Sequence, residues 1–260
     1  MLNLTDFITD IGPCAVAFSG GVDSSVVAAA AYRAHGNAAL AVTVVSELCP
    51  ESEAEEAAVV ARFIGIPHIV VRSALLTDET VSTNPPDRCY HCKKKAFALI
   101  YEAAGARGIT CVADGTNADD METYRPGLKA LAEMGVASPL ALLGIRKEGV
   151  RELARVYGLP NAEKPSAPCL ATRFPYGTML TPAGIARVQA AEDAVRSLGF
   201  TGFRVRDHGE VARIEIDIAS LTDAVSEKTR KKLVAMLKSL GYNYVTLDLE
   251  GFRSGSMDKR

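Results

Sequence analysis

No apolar run in the 260 residues is long enough to cross a bilayer. The longest, such as Val26–Ala31, stop far short of the roughly 20 residues that a spanning helix needs. An excess of positive charge is also missing. Twenty-nine Lys and Arg face 31 Asp and Glu, a net of −2, so no global field holds nucleic acid by counterion release and only a local patch is left for that purpose. Cysteine is sparse, six residues in the whole chain. Met1–Asp6 carries no basic stretch, so no signal peptide is expected. Without export, the cysteines are expected as reduced thiols, metal ligands or catalytic groups rather than staples, and the location is expected to be cytoplasmic. Internal repeats and low-complexity tracts are absent. With 48% hydrophobic and 23% charged residues, neither disorder nor a fibrous fold fits. The length suits one large domain or two small ones.

The first half alternates strand-like and helix-like stretches. Cys14–Phe18 is a short apolar run ending at Ser19-Gly20-Gly21, and a helix is expected over Asp23–His35, closed by Gly36. Ala39–Val45, His68–Val71 and Ile109–Ala113 read as further strands. Glu51–Ile64, with acidic residues in its first turn where they complement the dipole, and Cys92–Ala104 read as helices. Tyr124–Met134, Ser138–Leu142 and Lys147–Tyr157 continue the alternation. This pattern predicts an α/β fold with a mostly parallel sheet, binding its ligand at the carboxyl ends of the strands. The pattern changes at Lys164–Pro168, a Pro/Ser/Ala stretch that reads as a linker. Beyond it come a helix over Pro182–Leu198 with Thr181 as N-cap, strands Phe203–Asp207 and Val211–Asp217 with the turn at His208–Glu210, a helix Ser226–Leu240 and a last strand Tyr242–Leu247. The expected domains are therefore 1–165, parallel α/β, and 166–260, a smaller α+β unit.

Ser19-Gly20-Gly21-Val22-Asp23-Ser24-Ser25 sits where a strand ends and a helix begins. Two glycines allow a tight turn and close backbone approach. Successive N–H groups, the Ser19 and Ser24 hydroxyls and the helix N-terminus can cradle an anion. The kinase-type loop GxxxxGK[ST] is absent, and no Lys follows. An ordinary capped turn would explain a bare Gly-Gly, but the whole string favours phosphate. A second polar string, Asp114-Gly115-Thr116-Asn117-Ala118-Asp119-Asp120, follows the fourth strand and can face the first. Asp114, Gly115 and Thr116 are thus candidates for nucleotide or metal contact, and Thr43 with Val44 for an adenine pocket.

Cys89-Tyr-His-Cys92 opens a helix, followed by Lys93, Lys94 and Lys95. Helix N-termini and nearby cations favour thiolate. Cys169 stands in a Pro-flanked loop with Arg173 nearby, whereas Cys14 and Cys111 fall inside apolar strands as buried fillers and Cys49 reads as structural. Cys89, Cys92 and Cys169 leave four readings open: a zinc site lacking a good fourth ligand, a redox pair that leaves Cys169 unexplained, unliganded thiols, or three ligands of a [4Fe–4S] cluster with one open iron. Arg204 and Arg206 alternate along a strand and so share a face. They are candidates to clamp a phosphate or carboxylate.

Ser19–Ser24 resembles the SGGxDS signature of the PP-loop family of N-type ATP pyrophosphatases. That resemblance implies ATP binding, transfer of AMP to a substrate oxygen, and Asp23 as a carboxylate near Mg²⁺. Together with Asn84–Lys93, Asp114–Asp120, Tyr124–Gly127, Ser166–Gly177, Arg204–Gly209 and Tyr244–Gly251, it makes nearly the whole chain similar to the LarE family of ATP-dependent sulfur transferases. The resemblance implies adenylation of a carboxylate of pyridinium-3,5-biscarboxylic acid mononucleotide and its conversion to a thiocarboxylate, in biosynthesis of the nickel-pincer cofactor of lactate racemase. In one branch the cysteine matching Cys169 gives up its own sulfur and becomes dehydroalanine. In another, three cysteines hold a [4Fe–4S] cluster, and Cys89, Cys92 and Cys169 place this chain there. Cys169, Asp23, Arg204 and Arg206 are then the expected catalytic residues.

The expected partners are a small-molecule nucleotide substrate, a sulfide or sulfur donor and further copies of the chain in a homo-oligomer, with no nucleic acid and no membrane. The rival readings are tRNA thiolation on the same loop, amidation or ligation on an adenylate, and a nucleotide-binding sensor. The slight acidity and the lack of an RNA-binding module weigh against the first.

Overall fold

The computed structural model of the protein describes residues 3–49, 51–122, 125–164, 169–253 and 255–257. Most of the expected linker, Pro165–Pro168, lies outside the described residues, as do Tyr124 and the Ser166–Pro168 start of one family-like string. The chain divides into two compact units, 1–81 with 87–167 and 82–86 with 168–260.

The first unit begins with a helix that the sequence pattern did not predict, α1 (Leu4–Ile11), capped by the Asn3 side chain, which accepts from the Asp6 N–H at 3.0 Å. Its chain then runs β1 (Cys14–Ala17), α2 (Val22–His35), β2 (Leu40–Val45), α3 (Glu51–Ile64), β3 (His68–Arg72), α4 (Glu79–Ser82), α5 (Arg88–Gly105), β4 (Cys111–Ala113), α6 (Pro126–Glu133), α7 (Pro139–Leu142) and α8 (Lys147–Val156). The four strands form one parallel sheet in the order β3-β2-β1-β4. Cys14, Ala15 and Val16 of β1 are fully buried, as expected for a parallel strand covered on both faces. From Val22 to Ala31 the α2 residues are buried except Asp23, so α2 is the central helix and not an amphipathic surface one. Among the described residues no helix is long and apolar enough to cross a membrane.

Two sequence expectations shift. The helix expected from Cys92 starts at Arg88, with Asp87 at the N-cap after Pro85-Pro86, so both cysteines of the CxxC lie inside α5. The alternation expected through Ser138–Leu142 is interrupted. Pro139 opens the short α7 at its first turn, and the strand-like contact is a single parallel bridge between Ala113 and Ala137.

The strand order places the switch point between β1 and β4. The chain winds to one side through β2 and β3 and then returns to the other, and ligands bind in the crevice above such a point. The loops after β1 and β4 meet there. A Cβ on Gly115 would stand 2.7 Å from the Ser24 nitrogen and 3.0 Å from the Asp23 carbonyl carbon. On Gly20, whose φ is +71°, it would stand 2.8 Å from the Ala57 Cα. Glycine at these two positions lets three backbones converge.

The second unit carries α9 (Pro182–Ser197), β5 (Phe203–His208), β6 (Val211–Ile216), α10 (Leu221–Val225), α11 (Glu227–Ser239) and β7 (Tyr244–Leu247). β5 and β6 form the expected hairpin, and β7 adds in parallel to β6. Ala191 and Val195 of α9 and Leu233 and Leu237 of α11 share a core with Phe203, Val205 and Ile214 of this sheet. Thr181 caps α9 as expected, accepting from the Gly184 N–H at 3.0 Å. Residues 82–86 belong here through Asn84, which is fully buried. Its side-chain amide donates to the Pro175 carbonyl at 2.8 Å, and its main-chain carbonyl accepts from the Gly177 N–H at 2.9 Å. It does so at φ +53°, a conformation Asn tolerates better than most residues.

Gly115→Ala forces a methyl into backbone that cannot yield. The variant is expected to lose about 1–3 kcal/mol of stability, the usual range for overpacking. Urea unfolding checks this, and a midpoint equal to that of the parent would show that the two loops have room to part.

Candidate active site

Above the switch point lies a cavity of about 370 Å³. Much of its polar lining comes from the two loops, Ser19, Gly21, Asp23 and Ser24 from one and Asp114, Gly115, Thr116 and Asp120 from the other, with Thr43, Glu53, Lys93 and Arg125 beside them. Its apolar lining comes from β2 and α5, through Val42, Val44, Val45, Phe97 and Ile100. A polar floor joined to an apolar wall suits a nucleotide, phosphates on one and base on the other.

The first loop holds itself in shape. The Ser24 hydroxyl donates to the Gly21 carbonyl at 3.1 Å and accepts from the Ser19 N–H at 3.3 Å, and the Ser19 hydroxyl lies 3.2 Å from it. No side chain caps α2 at Gly21, so its first N–H groups are aimed at whatever anion the loop receives. Gly20 and Val22 do not line the cavity. Gly20 packs on Ala57, and Val22 is buried in the core as the first residue of α2.

Asn161, which no sequence motif marks, supports the loop from below. Its side chain is buried, and its amide donates to the Gly20 carbonyl at 2.8 Å and to the Ser25 hydroxyl at 2.9 Å. Nothing in the sequence singles it out, because its role depends on contacts 141 and 136 residues away.

The second loop is braced around a buried carboxylate. Asp114 accepts from the Thr116 N–H at 3.1 Å, the Thr116 hydroxyl at 2.5 Å and the Ser138 hydroxyl at 2.7 Å, with the Lys93 ammonium at 4.0 Å. Asp23, at the start of α2, receives the Asn117 amide on one oxygen at 3.0 Å and the Lys147 ammonium on the other at 2.5 Å. Thr43 lines the cavity, but its hydroxyl is committed. It donates to the Phe18 carbonyl at 2.6 Å and so accepts from His68 Nε2, 2.7 Å away. Burial holds the His68 imidazole below its ordinary range, with Arg62 adding to the effect.

Of the cysteines, Cys89 is exposed and Cys92 half-buried. Three apart on α5, they share a face of the helix. Among the described residues no three histidine, cysteine or acidic side chains are gathered into a metal site. Cys14 is a buried filler as expected. Burial first, and the neighbouring Cys111 second, push its thiol up to about 12. Burial raises the Cys111 thiol as well. Cys49 does not fit a purely structural reading, since it is exposed and lines the cavity.

In the second unit, Cys169 precedes a short 3₁₀ turn, Leu170–Arg173. Its carbonyl accepts from the Thr172 hydroxyl at 2.7 Å and from Arg173 at 3.3 Å. Arg173 is itself clamped by the buried carboxylate of Glu192 at 2.7 and 3.0 Å. Arg206 is buried and committed within this unit. It pairs with the fully buried Glu215 at 2.6 Å and donates to the Thr172 carbonyl at 3.1 Å and the Ser256 hydroxyl at 2.9 Å. Arg204 differs. Its guanidinium donates to the Phe203 carbonyl at 2.5 Å and lies 4.9 Å over the Phe252 ring. Among the described residues no carboxylate forms an ion pair with it. Burial, then the nearby Arg173, lower its affinity for its proton below the ordinary arginine range, with Glu192 and Glu215 acting the other way.

Residues 9–127 match the family model of asparagine synthase. The chain is 40% identical over 252 residues, 96% of its length and 91% of the other protein, to a pyridinium-3,5-bisthiocarboxylic acid mononucleotide synthase of Lactiplantibacillus plantarum. The chain belongs to the LarE family. An uncharacterized protein of Synechocystis is equally similar, 40% identical over 257 residues, covering 99% of this chain and 96% of that one. A tRNA-specific 2-thiouridylase of Pelobacter propionicus is 33% identical over 186 residues, covering 58% of this chain and 51% of that protein. LarE-family members are ATP-dependent sulfur transferases built on a PP-loop domain that binds ATP with Mg²⁺, and the cavity walls described above are the first unit's version of that domain.

Asn161→Asp would set a negative charge against the Gly20 carbonyl and beneath the loop. Losing two buried donors in this way typically costs a few kcal/mol. The variant is expected to bind ATP at least about tenfold more weakly, as read by calorimetry. Unchanged affinity would show that the loop keeps its shape without Asn161.

Proposed function

We propose that the protein uses ATP to adenylate a carboxylate of pyridinium-3,5-biscarboxylic acid mononucleotide, releases pyrophosphate, and lets sulfide displace AMP to give the thiocarboxylate. The observation that carries this reading is the likeness, over 96% of the chain, to a synthase of the bisthiocarboxylic acid mononucleotide. The cavity of the first unit supports it. A carboxylate is a poor electrophile, and joining it to AMP supplies a good leaving group. Ser19–Ser24 would receive the β,γ-phosphates on the N–H groups of α2, while the Val42–Val45 and Phe97 side takes the adenine. Asp23 and Asp114 are carboxylates that line the same cavity as the loop. Asp23, at the mouth of the loop, is the one we assign to Mg²⁺.

We further assign Cys89, Cys92 and Cys169 to a [4Fe–4S] cluster. The donor types fit, and the i,i+3 pair on α5 presents two thiols from one helix face with Cys89 open to solvent. The cluster, when bound, supplies sulfide at the iron that has no protein thiolate. In the second unit Thr172 and Arg173 fix the main chain at Cys169, and Arg206 fixes Thr172 in turn. Arg204, which forms no ion pair among the described residues, is assigned to an anionic group of the substrate. The chain acts in the cytoplasm and as a homo-oligomer in this reading. The alternative in which Cys169 donates its own sulfur leaves the CxxC without a task.

Substrate-dependent pyrophosphate release tests the first step. Asp23→Ala and Ser24→Ala are expected to lower it on the order of a hundredfold, the scale for losing one contact to a charge that develops in the transition state. Near-parental release by Asp23→Ala would remove that carboxylate from the reaction.

Iron analysis and mass spectrometry test the second. Anaerobically prepared protein is expected to hold about four irons per chain. Replacing Cys89, Cys92 or Cys169 by Ala should lose them, and replacing Cys14, Cys49 or Cys111 should not. Repeated turnover with added sulfide, and an intact Cys169 afterwards, are expected. Stoichiometric zinc without iron, or dehydroalanine at position 169 after a single turnover, would overturn the cluster assignment.

A further inference from the structure

β3 is the open edge of the parallel sheet. The other edge strand, β4, is covered in part by the bridge from Ala113 to Ala137, whereas no strand pairs with the outer side of β3 among the described residues. Such an edge presents unpaired N–H and C=O groups and is a template for another strand. Lysine or proline commonly blocks that pairing, and His68-Ile69-Val70-Val71-Arg72 has neither. The pleat turns Ile69 and Val71 into the core with Phe97 and Ile100 of α5. His68, Val70 and Arg72 therefore face the other way, the side on which α3 packs, with Arg62 of α3 acting on the His68 ring. α3 does not cover this side fully. Val70 is 44% exposed, and Val59 and Phe63 of α3 are 54% and 57% exposed. Around these three residues α3 carries charge of both signs. Glu55, Val59 and Arg62 stand at i, i+4 and i+7 and so form one stripe along the helix. Glu55 and Arg62 are both exposed, and neither has an ion-pair partner among the described residues. Glu53, which lines the nucleotide cavity, lies on the opposite side of α3.

We propose that β3 and the outer stripe of α3 dock a second copy of this chain about a two-fold axis. The proposal rests on the homo-oligomer of the reading above and names its surface. The stripe is complementary to itself. Against a copy running the other way, Glu55 meets Arg62, Val59 meets Val59 and Arg62 meets Glu55. The same rotation sets β3 antiparallel to its counterpart, with Val70 beside Val70 at the axis. One operation thus satisfies the open strand edge, covers the exposed valines and pairs both lone charges, as an isologous contact requires. Strand addition supplies main-chain hydrogen bonds, and the apolar side chains at the axis supply burial. The two exposed ion pairs contribute little affinity. They fix the register and disfavour a parallel arrangement, in which Glu55 would meet Glu55 and Arg62 would meet Arg62. Because Glu53 faces the other way, the docked side of α3 is not its cavity side.

Light scattering across a concentration series tests the surface. The parent protein is expected to be a dimer or a larger even-numbered assembly. Val59→Lys and Val70→Lys each set two ammonium groups at the axis, and the particle mass should fall to half that of the parent. Arg62→Glu turns both cross-axis pairs repulsive and should raise the dissociation constant about tenfold. Adding Glu55→Arg to that variant rebuilds the pairs in reverse and should restore the parental value. ATP affinity, read by calorimetry, should be unchanged in every variant, as expected for a folded first unit with an intact cavity. Lysine variants of parental mass, or a double reversal no better than Arg62→Glu alone, would overturn the proposal and leave the homo-oligomer standing. A parent protein that stays monomeric at every concentration would remove both.

Discussion

Gly115 lies against the backbone of Asp23 and Ser24, and this close approach at the β1/β4 switch point sets everything else in the first unit. Two loops that are nearly a hundred residues apart in sequence become one surface. Each loop then supplies what the other lacks. The first brings the uncapped start of α2 and two hydroxyls. The second brings Asn117 to hold Asp23, and Asp119 to close the N-terminus of α8. Because α8 is docked that way, Lys147 reaches Asp23. A methyl group at position 115 would part these elements, so glycine there is a requirement of packing and of chemistry at once.

The interiors of the two units differ in kind. The first has an apolar wall from β2 and α5 beside a polar floor, which suits a nucleotide and its phosphates. The second carries a buried lattice of charge in which Arg173 is locked by Glu192 and Arg206 by Glu215. Burying such pairs contributes little net stability, since desolvation offsets most of the attraction, but removing one partner leaves the other uncompensated. Their effect is to fix geometry: both arginines end on the main chain of Cys169–Thr172. Arg204 lies outside these pairs, with its guanidinium over the Phe252 ring.

Much of this was legible in the residues, for physical reasons. The alternation of apolar runs with helical stretches pointed to the parallel sheet, since strands buried on both faces have a signature that loops and surface helices do not share. SGGVDS and DGTNADD stood out because glycine, hydroxyl and carboxylate side by side suit a tight turn at a strand end, and both strings do turn the chain at the carboxyl edge of the sheet. Thr43 was found at the cavity but with its hydroxyl already bound to Phe18 and His68, a contact that no local pattern reveals. Asn161 and Lys147 were missed for the same reason. Each is an unremarkable polar residue until folding carries it more than a hundred positions to the loop. The alternating Arg204 and Arg206 looked equivalent on the strand. The structure separates them, because Glu215 reaches one guanidinium and not the other. Asn84 illustrates the limit of linear division, since one buried amide carries residues 82–86 into the second unit.

The central claim is that a substrate carboxylate is activated by attack on the α-phosphorus of ATP. Substrate labelled with ¹⁸O in its carboxylates tests that claim directly, with sulfide supplied and the AMP product analysed by mass spectrometry. If the carboxylate becomes an acyl-adenylate and sulfide then displaces it, each AMP must carry one labelled oxygen and the pyrophosphate none. Label in pyrophosphate or inorganic phosphate, or AMP free of label while thiocarboxylate accumulates, would contradict the account.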